Sequence, residues 1–211
     1  MTELRKTLPP LPDRIKTLPL DPRGYPIPWF VGEVDGKRDF RVANQMKRLI
    51  AVKKNLCWIC GGKLGRRLAF VIGPMCVVNR NTSEPPSHRE CAIFAATACP
   101  FLILPKSDYR KPPEGGTQLP HALPGNPGAC CVWITDSYSP YGVENSWLIR
   151  IGAPLEALWF AEGRPATREQ ILESLERRLP ALQEIADEEG PRARAALARQ
   201  VNAALQLLPT A

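Results

Sequence analysis

Histidine is almost missing from this sequence, which holds two, His88 and His121. That scarcity leaves few histidines to serve as a general base. No apolar run is long enough to span a bilayer. The polar start, Met1 to Lys6, lacks the apolar stretch of a secretory signal. A cytoplasmic protein with no membrane partner is therefore expected, in a compartment that keeps thiols reduced. Clustered cysteines there point to metal, and an odd count of seven suits a disulfide framework poorly. No phosphate-cradling glycine loop, Ser/His/Asp set or internal repeat stands out.

Proline is abundant instead, at 23 of 211 residues, and gathers in 9–28 and 100–127. Because proline fixes φ and removes a donor, both stretches read as extended chain that wraps or links. Charge is also uneven. Residues 1–67 hold fifteen Lys or Arg against six Asp or Glu, a net +9, while the remainder is −2. A basic first third beside a near-neutral remainder fits a polyanionic partner, though a solvated basic surface has the same composition.

Along the chain, residues 1–28 form a Leu/Pro arm. Trp29–Val34 and Asp39–Val42 flank an Asp35-Gly36 turn signal, so a β-hairpin is expected. Residues 43–54 read as a basic helix with Met46, Leu49 and Ile50 on one face. A Pro/Gly-rich loop at 102–128 follows the cysteine-bearing region 29–101. Strands are expected at Val132–Thr135, Trp147–Ile151 and Ala157–Phe160, within 129–165. The rest, 166–211, is helical. Thr167 to Gln170 fits a capping box, Pro180 is expected to kink or restart the helix, and Gly190-Pro191 divides two helices.

The centre of the chain carries the chemistry. Cys57-Trp58-Ile59-Cys60-Gly61-Gly62 has the spacing and trailing glycines of a zinc knuckle: two thiolates reach one metal, and backbone N–H groups approach the sulfurs. Leu68–Ile72 and Met75–Val78 read as two strands around Gly73-Pro74. Ser87-His88-Arg89-Glu90 reads as a capping box opening a helix that carries Cys91. Residues three apart share a helix face, so His88 and Cys91 can bind one ion with Cys57 and Cys60. Cys76 in the second strand and Cys99 two turns beyond Cys91 are alternate ligands. Five or six candidates for four places keep an iron–sulfur cluster open beside a single structural zinc. Cys130 and Cys131, adjacent at a strand start, alternate faces and read as packing residues.

Knuckle, hairpin, then a helix with His-x-x-Cys resembles the treble-clef zinc-finger group over about residues 55–100. That resemblance implies Cys57, Cys60, His88 and Cys91 as the metal ligands. Leu18–Pro26, Gly73-Pro74-Met75-Cys76, Glu84–His88 and Ala98–Leu102 also resemble an uncharacterised family of bacterial and bacteriophage proteins. That second likeness spans most of the chain and implies no activity. The expected fold is α+β: a treble-clef-like zinc unit flanked by β-hairpins, with an extended Pro-rich arm and a helical C-terminus.

Enzymatic readings fit poorly. An HNH-type nuclease needs a histidine base at the hairpin, yet none lies between Cys60 and His88, and His121 sits in the Pro/Gly loop. His88-Arg89-Glu90 matches half of a zinc deaminase signature, but the Cys-x-x-Cys lies upstream. A redox Cys-x-x-Cys heads a helix, whereas this one sits on a glycine turn. Binding remains. Lys37, Arg38, Arg41, Lys47, Arg48, Lys53, Lys54, Lys63, Arg66 and Arg67 are candidates for phosphate contacts. Trp29, Phe40 and Trp58 are candidates for base stacking, with hairpin core favoured for Phe40. Nucleic acid or a nucleoprotein complex is the expected partner. The alternative is a phage-type inhibitor or adaptor that binds protein through the arm and C-terminal helices, with zinc purely structural.

Overall fold

A computed structural model describes residues 2–104, 114 and 126–210. The Leu/Pro segment is not simply extended. It contains a helical turn, α1 (Asp13–Lys16), and a bridge between Leu20 and Pro26. Ile15, 1% exposed, enters the main core, and Leu8, Leu11 and Leu18 pack against it.

Strands β1 (Val31–Val34) and β2 (Lys37–Ala43) form the expected antiparallel hairpin. Asp35 and Gly36 both take positive φ, 51° and 71°, as a tight two-residue turn requires. Helix α2 (Gln45–Lys54) follows, with the Asn44 side chain accepting from the Lys47 N–H at its start. Its faces are the reverse of the sequence expectation. Met46 and Leu49 are exposed, and the buried positions are Arg48 and Ala51. Apolar spacing misleads here because a buried arginine occupies the core side.

Beyond the knuckle come β3 (Leu68–Ile72), α3 (Pro74–Asn79), β4 (Asn81–Thr82), α4 (Arg89–Ala98) and α5 (Pro100–Ile103). Residues 75–78 are therefore helical, not a strand. Pro74 at the first helical position follows Gly73, and the N–H of Val77 reaches back to the Gly73 carbonyl. Tertiary burial overrides the β-propensity of Val77 and Val78, each 2% exposed. The expected hairpin partner of β3 is thus absent. Ser87 takes that place, exchanging both backbone hydrogen bonds with Ala69 at 2.9 and 2.7 Å.

The remaining elements are β5 (Ala129–Thr135), β6 (Tyr138–Val143), β7 (Ser146–Ile151), β8 (Glu156–Ala161), β9 (Arg164–Pro165), α6 (Arg168–Glu189) and α7 (Pro191–Leu205). A four-stranded antiparallel sheet runs β3-β5-β8-β9, and a second runs β4-β7-β6. The cysteine-bearing region and the later strands therefore share one sheet.

Strand β5 is buried throughout and divides two packed layers. Cys130, Val132 and Ile134 meet Ala92 and Ala96 of α4, whose small side chains let the helix approach closely. Cys131 and Trp133 point the other way, into the core made with α3, α6 and α7. The alternation expected for Cys130 and Cys131 is present, and burial pushes both thiols up, Cys130 to about 12. Gly152 is needed for close approach: a Cβ there would stand 2.6 Å from the Ser137 carbonyl oxygen. Thr167 and Gln170 form the reciprocal capping box of α6. Pro180 sits inside α6, which continues past it to Glu189, so the expected restart is not made there.

Candidate metal centre

Helix α2 ends at Asn55 in the left-handed conformation, which turns the chain into the knuckle. The knuckle is closed by a bridge between Leu56 and Lys63 and by the Cys57 N–H donating to the Gly62 carbonyl at 2.7 Å. Gly61, at φ 74°, is required: a Cβ would meet the Trp29 ring at 2.8 Å. The Ser87–Ala69 bridge and the Trp58 N–H to the Pro86 carbonyl, 3.0 Å, then hold the start of α4 against the knuckle.

These contacts bring the donor atoms of Cys57, Cys60, His88 and Cys91 within 4.8 Å of one another. Cys57 and Cys91 are fully buried, His88 is buried and Cys60 half-buried. His88 Nδ1 lies 3.4 Å from Cys60 Sγ and 3.9 Å from Cys91 Sγ. Its Nε2 lies 2.9 Å from the Lys63 carbonyl. A carbonyl only accepts, so Nε2 carries the proton and Nδ1 presents its lone pair to the thiols. This is the orientation a ligating histidine takes when its outer nitrogen is fixed by a backbone acceptor.

The sulfurs are prepared in the same way. Cys57 Sγ accepts from the N–H groups of Cys60 and His88, and Cys60 Sγ accepts from Gly62, all at 3.4 Å. The Cys57 thiol is held far below the ordinary thiol range, first by its hydrogen bonds with Cys60 and Cys91 and then by those N–H groups, against burial. Cys60 and Cys91 are pushed up, chiefly by the same hydrogen bonds to Cys57, which takes the negative charge. A bound cation offsets that mutual repulsion and favours three thiolates, with release of protons. Three sulfurs and one imidazole nitrogen are compatible with a single metal ion such as zinc.

Cys76 and Cys99 stand outside this group among the described residues. Burial raises both thiols, Cys76 to about 12, which keeps them neutral. His121 lies outside the described residues. The capping box expected at Ser87–Glu90 is not formed. His88 itself is the N-cap residue, with no side-chain cap, and Glu90 pairs with Arg14 of α1 at 3.1 Å. Sequence reasoning missed Arg14 and the Lys63 carbonyl, since neither belongs to a ligand motif.

The ten basic candidates separate into three sets. Arg48 is 1% exposed and is corrected from surface to core. Its guanidinium donates to the carbonyls of Ser83 and Trp147 at 2.7 and 2.6 Å and stacks 3.6 Å from the Trp147 ring centroid. Burial lowers its pKa to about 10. Arg38 pairs with Glu33, Arg41 with Asp39, and Lys47 donates to the Trp29 carbonyl at 2.7 Å. Lys37, Lys53, Lys54, Arg66 and Arg67 are exposed with no ion pair among the described residues; exposed Lys63 donates to the Lys54 carbonyl. Of the aromatics, Trp58 is withdrawn from stacking on bases. It is 2% exposed and lies against Phe30 with centroids 4.8 Å apart. Phe40 is half-buried with the Arg23 guanidinium 5.6 Å above it.

Glu84, beside Arg48, gives a pH signature. Burial raises its carboxyl to about 7 from an ordinary 4.5, against the attraction of Arg48. A raised folded pKa means its stabilising contribution is complete below about pH 4.5 and is lost as pH rises through 7. The loss should approach about 3 kcal/mol at most. Urea denaturation at pH 5 and pH 8 should show Glu84→Gln with a flatter profile than the parent. Parallel profiles would contradict the burial of this carboxyl.

Comparison of the chain with protein families, curated proteins and solved structures finds no match. Neither the treble-clef likeness nor the bacterial and bacteriophage family gains support there. The turn that carries Cys57 and Cys60 and the helix that carries Cys91 are present in the structure, and the hairpin expected between them is not. Among the described residues, no helix is long and apolar enough to cross a membrane.

Proposed function

We propose that this chain is a non-enzymatic zinc-binding protein that engages nucleic acid, alone or in a nucleoprotein complex, through cations on the rim of its metal centre. The observation that carries this reading is the position of Lys53, Lys54, Lys63, Arg66 and Arg67. The Leu56–Lys63 bridge and the Lys63–Lys54 contact draw the end of α2 and the exit of the knuckle together. Five exposed cations then flank one short stretch of backbone. Exposed cations are the groups that displace counterions from phosphates, and of these five only Arg67 has a carboxylate, Glu156, close enough to feel its charge among the described residues. Four protein donors close the metal site, which fits a structural ion that holds this rim and leaves no position for a reacting water. Iron–sulfur ligation is less suited, because those clusters take mainly thiolates and one of the four donors is an imidazole.

The alternative, a protein-binding inhibitor using the arm and the final helices, has less support. The arm's Ile15 is buried in the core, and Leu8, Leu11 and Leu18 pack against it. A hydrolase of HNH or other zinc type has the least, because the only described histidine belongs to the donor group.

The test is a gel shift with short DNA and RNA across salt concentrations. Affinity should fall steeply as salt rises. Lys53→Glu with Lys54→Glu should reduce the slope of log K against log salt by about 2, with little sequence preference. Metal content and folding should be unchanged, since both side chains are exposed. Absence of any shift at ~50 mM salt, where electrostatic binding is strong, removes direct nucleic-acid binding.

A further inference from the structure

Away from the metal centre, a cleft of about 660 Å³ lies between α3, β7 and α7. It includes none of the donors and none of the rim cations. Helices α3 and α7 pack on the face of the four-stranded sheet opposite α4. Three separate elements each contribute one arginine to its lining: Arg80 from the end of α3, Arg150 from β7, whose guanidinium also lies 5.3 Å from the Tyr141 ring centroid, and Arg199 from α7.

Among the described residues no carboxylate lines the cleft to offset the charge of these arginines. None of the three has an ion pair among the described residues, in contrast to Arg14, Arg38, Arg41 and Arg89. Amide side chains stand beside them, from Asn79, Asn81 and Gln200. Ala196, Ala203 and Gly152 keep the walls low and leave the volume open.

Arg80 is placed with care. It ends α3 in the left-handed conformation, φ 56°, which favours glycine or asparagine over a long side chain. Its carbonyl accepts from the Ile151 N–H at 2.9 Å, which ties α3 to the edge of β7. Its guanidinium lies 5.7 Å from the Trp133 ring centroid. Asn81, the next residue, is the register partner of Arg150. The β4–β7 ladder therefore holds two of the three arginines in a fixed relation.

We infer that this cleft is an anion site for a phosphate-bearing ligand of nucleotide size. Planar guanidinium groups match phosphate oxygens in pairs, and three of them suit a group with two or more negative charges. The volume lies within the range of small-ligand sites. Free nucleotides and the backbone of a nucleic acid supply the same phosphate chemistry. The inference is independent of the reading of the knuckle rim.

The test titrates the full metal-loaded chain, labelled with ¹⁵N, with inorganic pyrophosphate, with ADP and with a short single-stranded oligothymidylate. The readout is the arginine Nε–Hε signals. Pyrophosphate or ADP should shift Arg80, Arg150 and Arg199 saturably. Arg150→Gln with Arg199→Gln, both at exposed positions, should weaken that binding roughly tenfold or more. The thermal midpoint and metal content should be retained. The Lys53→Glu, Lys54→Glu protein should bind pyrophosphate as the parent does, so failure at the rim and failure at the cleft are read separately. A response to the oligonucleotide alone, lost in the arginine variant, upholds the phosphate site and assigns it to a nucleic-acid backbone. No response of the three arginines to any probe, or equal responses in parent and variant, overturns the inference.

Discussion

Cys91→Ser should cost the chain its metal and the order of everything between Cys57 and α4. Both Cys57 and Cys91 are 0% exposed and lie in the main core with Ile15, Leu64 and Leu68. Their loss therefore reaches beyond the knuckle. The stretch from Leu56 to Leu64 has little regular structure of its own, so metal binding there is folding energy, on the order of 10 kcal/mol. That is comparable to the whole stability of an ordinary domain. The variant is expected to unfold at room temperature or to accumulate insolubly, as judged by circular dichroism and bound metal. Cys99→Ala is the control, because Cys99 stands outside the donor group. It should keep its metal. Loss of metal from Cys99→Ala with retention in Cys91→Ser would transfer the ligand role.

Arg48→Ala should be the most damaging substitution outside the metal centre. The guanidinium joins α2 to two distant segments through the carbonyls of Ser83 and Trp147, and it covers the Trp147 ring. Truncation leaves two acceptors without their donor, removes the stacked plane and opens a cavity where the side chain is 1% exposed. A loss of roughly 3–5 kcal/mol is expected, read from the urea midpoint. Arg48→Lys should recover little, since an ammonium cannot serve both carbonyls and the ring face. A variant of unchanged stability that binds nucleic acid less well would return Arg48 to the surface set.

The metal donors were legible because ligand chemistry is local in type and spacing. Cys57 and Cys60 had to converge, and so did His88 and Cys91. What closes the distance between the two pairs was not legible. The Ser87–Ala69 bridge and the Lys63 carbonyl are backbone features that any side chains allow. The hairpin over Val31–Ala43 and the Thr167 cap could be read because a two-residue turn and a capping box each leave a short signature. Residues 75–78 could not, since Val77 and Val78 favour a strand until Gly73-Pro74 and the packing of α6 and α7 decide otherwise. Strand β6 was missed because Pro140 and Gly142 disguise it as a turn. The inward turn of Arg48 was hidden by its charge, which reads as surface until the carbonyls that receive it are placed.

The metal content of the purified full chain, prepared without chelator, tests the central claim most directly. Elemental analysis should find about one zinc per chain, and cobalt substitution should give the intense visible bands of tetrahedral thiolate ligation. Protein that is folded and free of metal, or brown protein that carries iron, would contradict a zinc centre built from Cys57, Cys60, His88 and Cys91.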